Sequence, residues 1–419
     1  MIGRVSRAGR LVIAAAVVLT VVGLIARELA DERIDDFEAC SIGDAPECDV
    51  SAPPCAGAGS RDLNPGNRAV PPRARPPRRA GEALPYGFND SAGLVGAVTL
   101  EQDLALQTAA GSSIWRLPLD WGAAEPEPNE FDFSASDEAY CTALEHGIEP
   151  LFHLTGVPPW ALDDDARPCS EAPCVQPPAP EHDDALRRFA ELAAIRYPEV
   201  AAIEAWNEPN LRSFWPSPDP ARYAALLEAI YNGVKDGAPS TIVLGGAVTN
   251  SPDDDPDTGS LALSTFLSEM FAAGAAEEMD ALSIHAYPIG LLGTEGDLFT
   301  PQVAEAQRIA SAAAPDRELP LWVTEIGMPT VEGGFAPAVS EQDQAAQMVR
   351  AYEALEADPN AAAVLFHTLL DPGPEIPGGP GFGWFTAPTD GQVRPKPVVC
   401  AFRRLDDPNA SCPATFQLD

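Results

Sequence analysis

Basic residues are scarce in this sequence: 26 Lys and Arg stand against 63 Asp and Glu, which gives a formal net charge of −37. Residues 1–83 are balanced, with 11 Arg and 11 acidic residues, so residues 84–419 carry the whole negative excess. A region with that charge repels phosphates, which excludes nucleic acid and an anionic surface as its partner. A neutral ligand such as a sugar is compatible with it.

Two kinds of ligand-binding motif are also missing. No glycine-rich phosphate loop follows the first predicted strand, so a nucleotide site has no motif. The eight cysteines lack Cys-x-x-Cys spacing and the five histidines lack paired spacing, so we expect no metal and no other cofactor. The acidic run 253–259 begins like a calcium loop, but Ser264 stands where the closing glutamate belongs.

Near the N-terminus, residues 11–26 form an apolar run without a charge, and Arg4, Arg7 and Arg10 precede it. The basic residues predict that residues 1–10 lie in the cytoplasm and that the chain after Ala26 lies outside. Sixteen residues are few for a transmembrane span and many for the apolar region of a signal peptide, and a poor cleavage site follows. We interpret residues 11–26 as a single-pass transmembrane anchor of the cell membrane, with a cleaved signal and a secreted protein as the alternative.

The even number of cysteines agrees with an extracytoplasmic location, where disulfides persist. Two pairs that are close in sequence are predicted to form disulfides, namely Cys169 with Cys174 and Cys400 with Cys412. The pairing of the other four stays open: Cys40, Cys48, Cys55 and Cys141. We interpret residues 27–83 as an extracytoplasmic linker that contains three of these cysteines. Its residues 60–82, rich in Pro, Arg and Gly, are predicted to form an extended spacer.

From Leu84 onward, strand-like and helical patterns alternate strictly. Strands are predicted over 84–88, 112–117, 148–154, 200–207, 241–246, 279–285, 320–326 and 361–367. Helices are predicted over 99–110, 134–146, 183–197, 219–236, 261–275, 301–314, 340–357 and 396–404. Eight such units predict an α/β fold of the (β/α)8 TIM barrel type over residues 84–419.

The active site of such a barrel lies at the C-terminal ends of the strands. The predicted strand ends carry these polar side chains: Arg116, His153, Asn207, Glu208, His285, Tyr287, Glu325 and His367. Two carboxylates on one face of a barrel are typical of glycoside hydrolysis. One of them acts there as acid and base, and the other as nucleophile or base.

The two glutamates need different protonation states for this chemistry. We expect Glu325 to stay ionised because Arg116 and Tyr287 donate hydrogen bonds to it. Glu208, on a less cationic side, is then the proton donor to the leaving oxygen. Glu204 lies inside the fourth strand, and we interpret it as a buried ion-pair partner without a catalytic role.

The remaining candidates would bind substrate. Asn207 is suited to hold a sugar hydroxyl, and His285 either orients a glutamate or binds a hydroxyl. His153 and His367 are either site residues or histidines of the core. Two tryptophans in loops after strand ends are candidate stacking platforms for sugar rings, namely Trp160 and Trp384.

Three motifs in this sequence resemble those of the clan A glycoside hydrolases, in particular the family 39 and family 5 type. They are Trp206-Asn207-Glu208-Pro209, His285-x-Tyr287 and Thr324-Glu325-Ile326-Gly327. The resemblance covers about residues 84–405. It implies a retaining enzyme acting on a poly- or oligosaccharide, with Glu208 as acid/base and Glu325 as nucleophile, about 5–5.5 Å apart.

The resemblance also implies supporting roles for Arg116, Asn207, His285 and Tyr287. The chain departs from the family at the eighth strand, where Phe366-His367-Thr368 stands in place of a frequent Trp. Trp384 is the candidate replacement for that missing ring.

We expect a monomeric enzyme that acts on polysaccharide near its own cell surface. Two alternatives remain open at this stage. One is a non-catalytic carbohydrate-binding protein tethered to the surface. The other is a transglycosylase, in which a sugar takes the place of water.

Overall fold

The eight predicted βα units form one closed barrel. The computed structural model describes residues 40–41, 54–57, 82–89, 97–163, 176–251, 254–255, 259–288, 292–293, 297, 299–331, 337–371 and 381–418. Each barrel strand runs parallel to its sequence neighbours, and the last strand pairs with the first. The prediction of a (β/α)8 barrel is therefore confirmed.

All sixteen major elements overlap their predicted ranges. The strands are β1 Tyr86–Asn89, β2 Ile114–Asp120, β3 Glu149–Thr155, β4 Ala202–Ala205, β5 Val243–Thr249, β6 Ala281–His285, β7 Leu321–Ile326 and β8 Ala361–Phe366. The helices are α1 Leu100–Ala109, α2 Ser134–Glu145, α3 Asp183–Arg196, α4 Pro220–Gly237, α5 Leu263–Ala272, α6 Phe299–Ala313, α7 Glu341–Glu356 and α8 Pro397–Asp406. Shorter elements, such as the one-turn helix Trp121–Ala124, were not predicted.

The barrel interior is built in layers, because alternate side chains of a strand point to the same face. One buried cluster contains residues from seven of the strands: Ile114, Leu151, Ala202, Leu244, Ala281, Trp322 and Ala363. Two positions further along three of those strands stand Arg116, Glu204 and Thr324, all buried. The apolar cluster is therefore the floor of the barrel, and a polar layer lies above it toward the C-terminal strand ends, here called the barrel mouth.

Helix α4 illustrates how the outer layer holds the strand ends. Its N-cap Asp219 accepts hydrogen bonds from two backbone N–H groups, and Pro220 occupies the first helical position. Tyr223 on its buried face donates to the carbonyl of Ala205 at 3.0 Å and accepts from the N–H of Gly246 at 2.7 Å. One tyrosine hydroxyl thus joins the helix to both β4 and β5 close to the mouth.

Two pieces of the predicted linker are attached to the barrel. Cys40–Ser41 pairs antiparallel with Glu130–Phe131 in the connection between β2 and α2. Cys55 forms a disulfide with Cys141 of α2, which settles one of the pairings that the sequence left open. These pieces of residues 27–83 are therefore held against the barrel. Of the spacer predicted over residues 60–82, residues 60–81 lie outside the described residues.

The predicted disulfide between Cys400 and Cys412 is confirmed. Cys169 and Cys174 lie outside the described residues, as does the apolar segment 11–26. Within the described part of the chain, no helix has the length and the apolar composition that crossing a membrane requires.

Replacing Cys55 and Cys141 together by Ser should lower the free energy of unfolding by about 4–5 kcal/mol, because 86 residues separate the bonded cysteines. The matched control is the Cys400→Ser, Cys412→Ser variant, whose disulfide spans 12 residues and should contribute about 3 kcal/mol. Guanidinium unfolding of the oxidised proteins measures both values. A smaller loss for the Cys55 and Cys141 pair would contradict the chain-entropy explanation.

Candidate active site

Strand β4 delivers Glu208 to the mouth through an unusual backbone. The sequence predicted a strand as far as Asn207, but β4 ends at Ala205 because Trp206 has a φ of 71° and Glu208 a φ of 43°. Residues other than glycine rarely adopt this left-handed region, and such residues often mark functional sites. The N–H of Glu208 donates to the carbonyl of Ala247 at 3.0 Å, which fixes the turn against β5.

Arg116 of β2 is buried at the centre of the hydrogen-bond network of the site. Its Nε donates to Glu204 at 2.6 Å, one terminal nitrogen donates to Glu325 at 2.8 Å and to Asn89 at 3.0 Å, and the other donates to Asn207 at 2.8 Å. Burial alone would lower the pKa of Arg116, but the two carboxylates outweigh burial and raise it. The guanidinium therefore stays charged inside the barrel.

Glu204 has the structural environment that the sequence suggested. Its side chain is fully buried, and it accepts hydrogen bonds from Arg116 and from the hydroxyl of Thr324, the latter at 2.8 Å. Its interpretation as a buried ion-pair partner is confirmed. Because it lies one layer below the mouth, it holds Arg116 from beneath.

Glu325 on β7 is surrounded by donors. The hydroxyl of Tyr287 donates to it at 2.5 Å, and Arg116 donates to the other oxygen. Burial would raise the pKa of Glu325, but His285, Arg116, His367 and the Tyr287 hydroxyl together lower it to about 2. Burial, together with the charges of Glu325 and Glu208, raises the pKa of Tyr287 well above its usual value. Tyr287 therefore keeps its proton, and Glu325 is ionised as expected.

An irregularity in β7 explains how Glu325 reaches the interior. Ile284 of β6 pairs with Val323, but the next residue, His285, pairs with Glu325, so the register skips Thr324. Regular alternation would place Thr324 and Glu325 on opposite faces. The shift allows Thr324 to bond Glu204 while Glu325 bonds Arg116, both inside the barrel.

His285 lies between the two glutamates. Its Nδ1 is 2.9 Å from an oxygen of Glu208 and 3.6 Å from an oxygen of Glu325. One oxygen of each glutamate and a ring nitrogen of His285 all lie within 4.8 Å of one another. Glu208 and Glu325 are each 8% exposed, so both are largely buried and keep a small accessible surface at the mouth.

The same three side chains have donor atoms spaced closely enough to hold a metal ion. Arg116 already places a positive charge 2.8 Å from Glu325, and this charge opposes a second cation there. The arrangement suits an uncharged ligand better than a metal.

Two further histidines of the predicted site lie at strand ends as expected: His153 is two residues before the end of β3, and His367 directly follows β8. Among the described residues, Nδ1 of His153 and Nδ1 of His367 are buried and have no hydrogen-bond partner. Burial lowers the pKa of His153 well below its usual value, and the charges of Arg116 and His285 lower it further. His153 is therefore neutral. The ring of His367 packs edge-on against Tyr287, which places it beside Glu325.

The two candidate stacking tryptophans differ. Trp160 is half-buried, donates its indole N–H to the carbonyl of Glu125 at 3.1 Å and packs edge-on against Trp121. Trp384 is 1% exposed and packs among aromatic rings that include Phe88 and Phe402. No face of Trp384 is open to a sugar, so its interpretation as a stacking platform is wrong.

Two residues that bond this network were not predicted as site residues. Asn89 accepts from Arg116, but the sequence placed the end of β1 at Phe88, one residue too early. Thr324 supports Glu204, but strand alternation alone assigns it no partner. Asn89 would have been found by reading the first strand one residue further.

Comparison with known proteins agrees with these motifs. A family described as glycosyl hydrolase catalytic core matches residues 178–366, a stretch that contains Glu208 and Glu325. No curated protein matches the chain. The resemblance to clan A glycoside hydrolases is confirmed by this match together with the barrel.

Several solved structures have a similar fold. A family 39 glycoside hydrolase from the gut symbiont Bacteroides cellulosilyticus WH2 is 20% identical over 77% of this chain and 63% of its own, with a TM-score of 0.57. A monomeric β-xylosidase from Caulobacter crescentus CB15 is 22% identical over 80% and 70%, also with 0.57.

An exo-β-1,4-mannosidase from Opitutaceae bacterium strain TAV5 is 18% identical over 78% of this chain and 60% of its own, with a TM-score of 0.53. This chain thus spans less than two thirds of the length of the Bacteroides and Opitutaceae structures. At these identities the structures establish the shared fold.

Replacing Tyr287 with Phe removes a hydrogen bond that lowers the pKa of Glu325, so this pKa should rise from about 2 toward its ordinary value of 4.5. Because the folded pKa lies below the unfolded one, ionised Glu325 stabilises the fold above about pH 4.5, and this contribution is lost as the pH falls toward 2. As the pH falls from about 4.5 toward 2, the free energy of unfolding should therefore decrease by less in the variant than in the wild type.

Urea unfolding across that pH range measures the difference. Tyr86→Phe is the matched control, because it removes another buried tyrosine hydroxyl, one that donates to the carbonyl of Ala110 at 2.9 Å. The control should follow the wild-type pH dependence. Parallel curves for Tyr287→Phe and the wild type would show that Tyr287 does not influence Glu325.

Proposed function

We propose that this protein is a retaining glycoside hydrolase that cleaves O-glycosidic bonds in a poly- or oligosaccharide by double displacement. One observation carries the proposal: ionised Glu325, held by Arg116 and Tyr287, lies beside Glu208, with oxygens of the two carboxylates within 4.8 Å. A carboxyl spacing of about 5–5.5 Å is typical of retaining enzymes, whereas inverting enzymes need about 6.5–9.5 Å to admit a water.

In the first step, an oxygen of Glu325 attacks the anomeric carbon and forms a glycosyl ester. The bond from that carbon to the glycosidic oxygen breaks, and the proton of Glu208 moves to this leaving oxygen. Arg116 and Tyr287 donate to Glu325, which keeps it ionised until it attacks.

In the second step, Glu208 acts as a base. It takes a proton from a water molecule, whose oxygen attacks the anomeric carbon and displaces Glu325. The product leaves with its original anomeric configuration, and both glutamates return to their initial states. His285 bonds Glu208 at 2.9 Å, which suits it to keep the carboxyl oriented while its proton leaves and returns.

Sugar hydroxyls would be bound by side chains whose positions are already fixed. Asn207 uses its carbonyl oxygen to accept from Arg116, which leaves its NH2 group to donate to a hydroxyl. His153, which is neutral, offers a ring nitrogen, as does His367, and Trp160 offers a partly exposed ring. Since the similar structures include a β-xylosidase and a β-mannosidase, β-linked sugars are the first substrates to test.

The Glu208→Gln variant should lose about 10²- to 10⁴-fold in kcat on substrates with poor leaving groups, because it has no proton to donate. Glu325→Gln should abolish the covalent intermediate. The assay uses p-nitrophenyl β-xyloside, β-glucoside and β-mannoside, and mass spectrometry after treatment with the matching 2-fluoro glycosides should place an adduct on Glu325. The matched control is Glu305→Gln on the surface of α6, which should behave as the wild type.

Other outcomes separate the alternatives. Sugar binding without any turnover would indicate a carbohydrate-binding protein, and longer glycosides among the products would indicate a transglycosylase. An adduct on a residue other than Glu325 would exclude the proposed mechanism.

We also propose that residues 11–26 anchor the enzyme in the cell membrane, with the barrel outside the cytoplasm. The disulfides Cys55–Cys141 and Cys400–Cys412 support an oxidising location. The full chain should stay with membranes after carbonate extraction and be degraded by protease added to spheroplasts. Deletion of residues 1–26 should abolish both behaviours, and a soluble full chain with reduced cysteines would contradict the proposal.

A further inference from the structure

We propose that Asn210 and Asn250 are positioning residues that fix Glu208 and Glu325 relative to each other. Backbone pairing no longer joins the strand ends at the site. There, the side-chain amide of each asparagine would take the place of a peptide group and form the hydrogen bonds between the strands. The catalytic part of this inference rests on the proposed glycosidase function. Within the described part of the chain, neither asparagine side chain forms a hydrogen bond to a glutamate, so each acts through other residues.

The backbone ladder weakens where the site begins. Strands β4 and β5 pair in register only at Ile203 with Val243 and at Glu204 with Leu244, although β5 continues to Thr249. Beyond that point, and within the described part of the chain, one backbone–backbone hydrogen bond joins the two segments, from the N–H of Glu208 to the carbonyl of Ala247. The end of β5 therefore needs another attachment to the segment that carries Glu208.

Asn210 supplies that attachment. It stands two residues after Glu208, is fully buried, and binds both peptide groups of Thr249. Its Nδ2 donates to the Thr249 carbonyl and its Oδ1 accepts from the Thr249 N–H, both at 3.1 Å. The same Nδ2 donates to the carbonyl of Leu261 at 2.9 Å. A primary amide has the donor and the acceptor of a peptide group, so it can extend the ladder.

Asn250, which follows β5, joins this strand to the end of β6 in the same way. Its backbone N–H donates to the carbonyl of His285 at 3.1 Å. Its Nδ2 donates to the carbonyl of Tyr287 at 2.5 Å, and its Oδ1 accepts from the N–H of Tyr287 at 3.3 Å. Asn250 therefore holds the backbone of the two residues that bond the glutamates, since His285 contacts Glu208 and Tyr287 contacts Glu325.

The two asparagines form a continuous path between the carboxylates. Asn210 joins the Glu208 segment to Thr249, the next residue is Asn250, and Asn250 joins that point to Tyr287 and so to Glu325. A displacement of about 1 Å at a reacting group can cost about 100-fold in rate. Loss of either amide should therefore reduce turnover while leaving sugar binding nearly intact.

The experiment compares wild type, Asn210→Ala, Asn250→Ala and Asn250→Asp on whichever p-nitrophenyl β-glycoside of the panel is cleaved. Each alanine variant should lose about 10- to 100-fold in kcat with little change in KM. In Asn250→Ala the acidic limb of the kcat/KM profile should move to higher pH, because a displaced Tyr287 no longer lowers the pKa of Glu325. In Asn250→Asp an oxygen replaces the NH2 group that donates to the Tyr287 carbonyl, so this variant should lose at least as much kcat as Asn250→Ala.

Asn360→Ala is the matched control. Asn360 also uses its side-chain amide to join two strand segments, donating to the carbonyl of Leu319 at 3.3 Å, but both residues precede their strands at the opposite end of the barrel. This variant should lower the melting temperature and leave the pH profile unchanged. A purely structural role for Asn210 and Asn250 would give all three alanine variants this same behaviour, and that result would overturn the proposal.

A second measurement does not depend on turnover. Crystal structures of the wild type and of Asn250→Ala should differ in the distance from the Tyr287 hydroxyl to Glu325. An unchanged distance would overturn the positioning role. If the wild type cleaves none of the glycosides, the proposed function fails while this structural comparison still decides the role of Asn250.

Discussion

A single buried guanidinium organises the mouth of this barrel. Arg116 is shared by Glu204 below it and Glu325 above it, and it also binds Asn89 and Asn207. A charge removed from water requires partners that satisfy its donors, and a carboxylate beside it remains ionised for the same reason. Arg116 therefore fixes both the position and the charge of Glu325. Glu208 stands apart from the guanidinium, with His285 as its partner.

The geometry around Arg116 depends on departures from regular strand structure. Trp206 and Glu208 adopt positive φ values, and the register of β6 against β7 skips Thr324. A regular barrel offers one inward side chain in every two residues. These departures bring Asn207 with Glu208, and Thr324 with Glu325, into one polar network. The side-chain amides of Asn210 and Asn250 then bind strand ends that backbone pairing no longer joins.

Much of this could be predicted from the sequence because the signals are local. The alternating strand and helix patterns located all eight βα units, and polar residues at strand ends marked Arg116, His285 and Glu325 as neighbours. The predicted ends of the strands were less accurate than their existence, since Asn89 belongs to β1 but lies one residue beyond the predicted end. Trp384 was assigned wrongly, because sequence position in a loop does not reveal that Phe88 and Phe402 enclose the ring.

The sequence by itself determined the barrel, the pair of glutamates and the ion pair that Glu204 offers, because each follows from periodicity or from a residue type at a strand end. Only the tertiary structure decided that Asn89 and Asn207 share Arg116, how His285 lies between the carboxylates, and that Cys55 pairs with Cys141. The physical reason is that these contacts join residues distant in the chain. Their geometry arises from strand register and backbone irregularities, which no local pattern of side chains specifies.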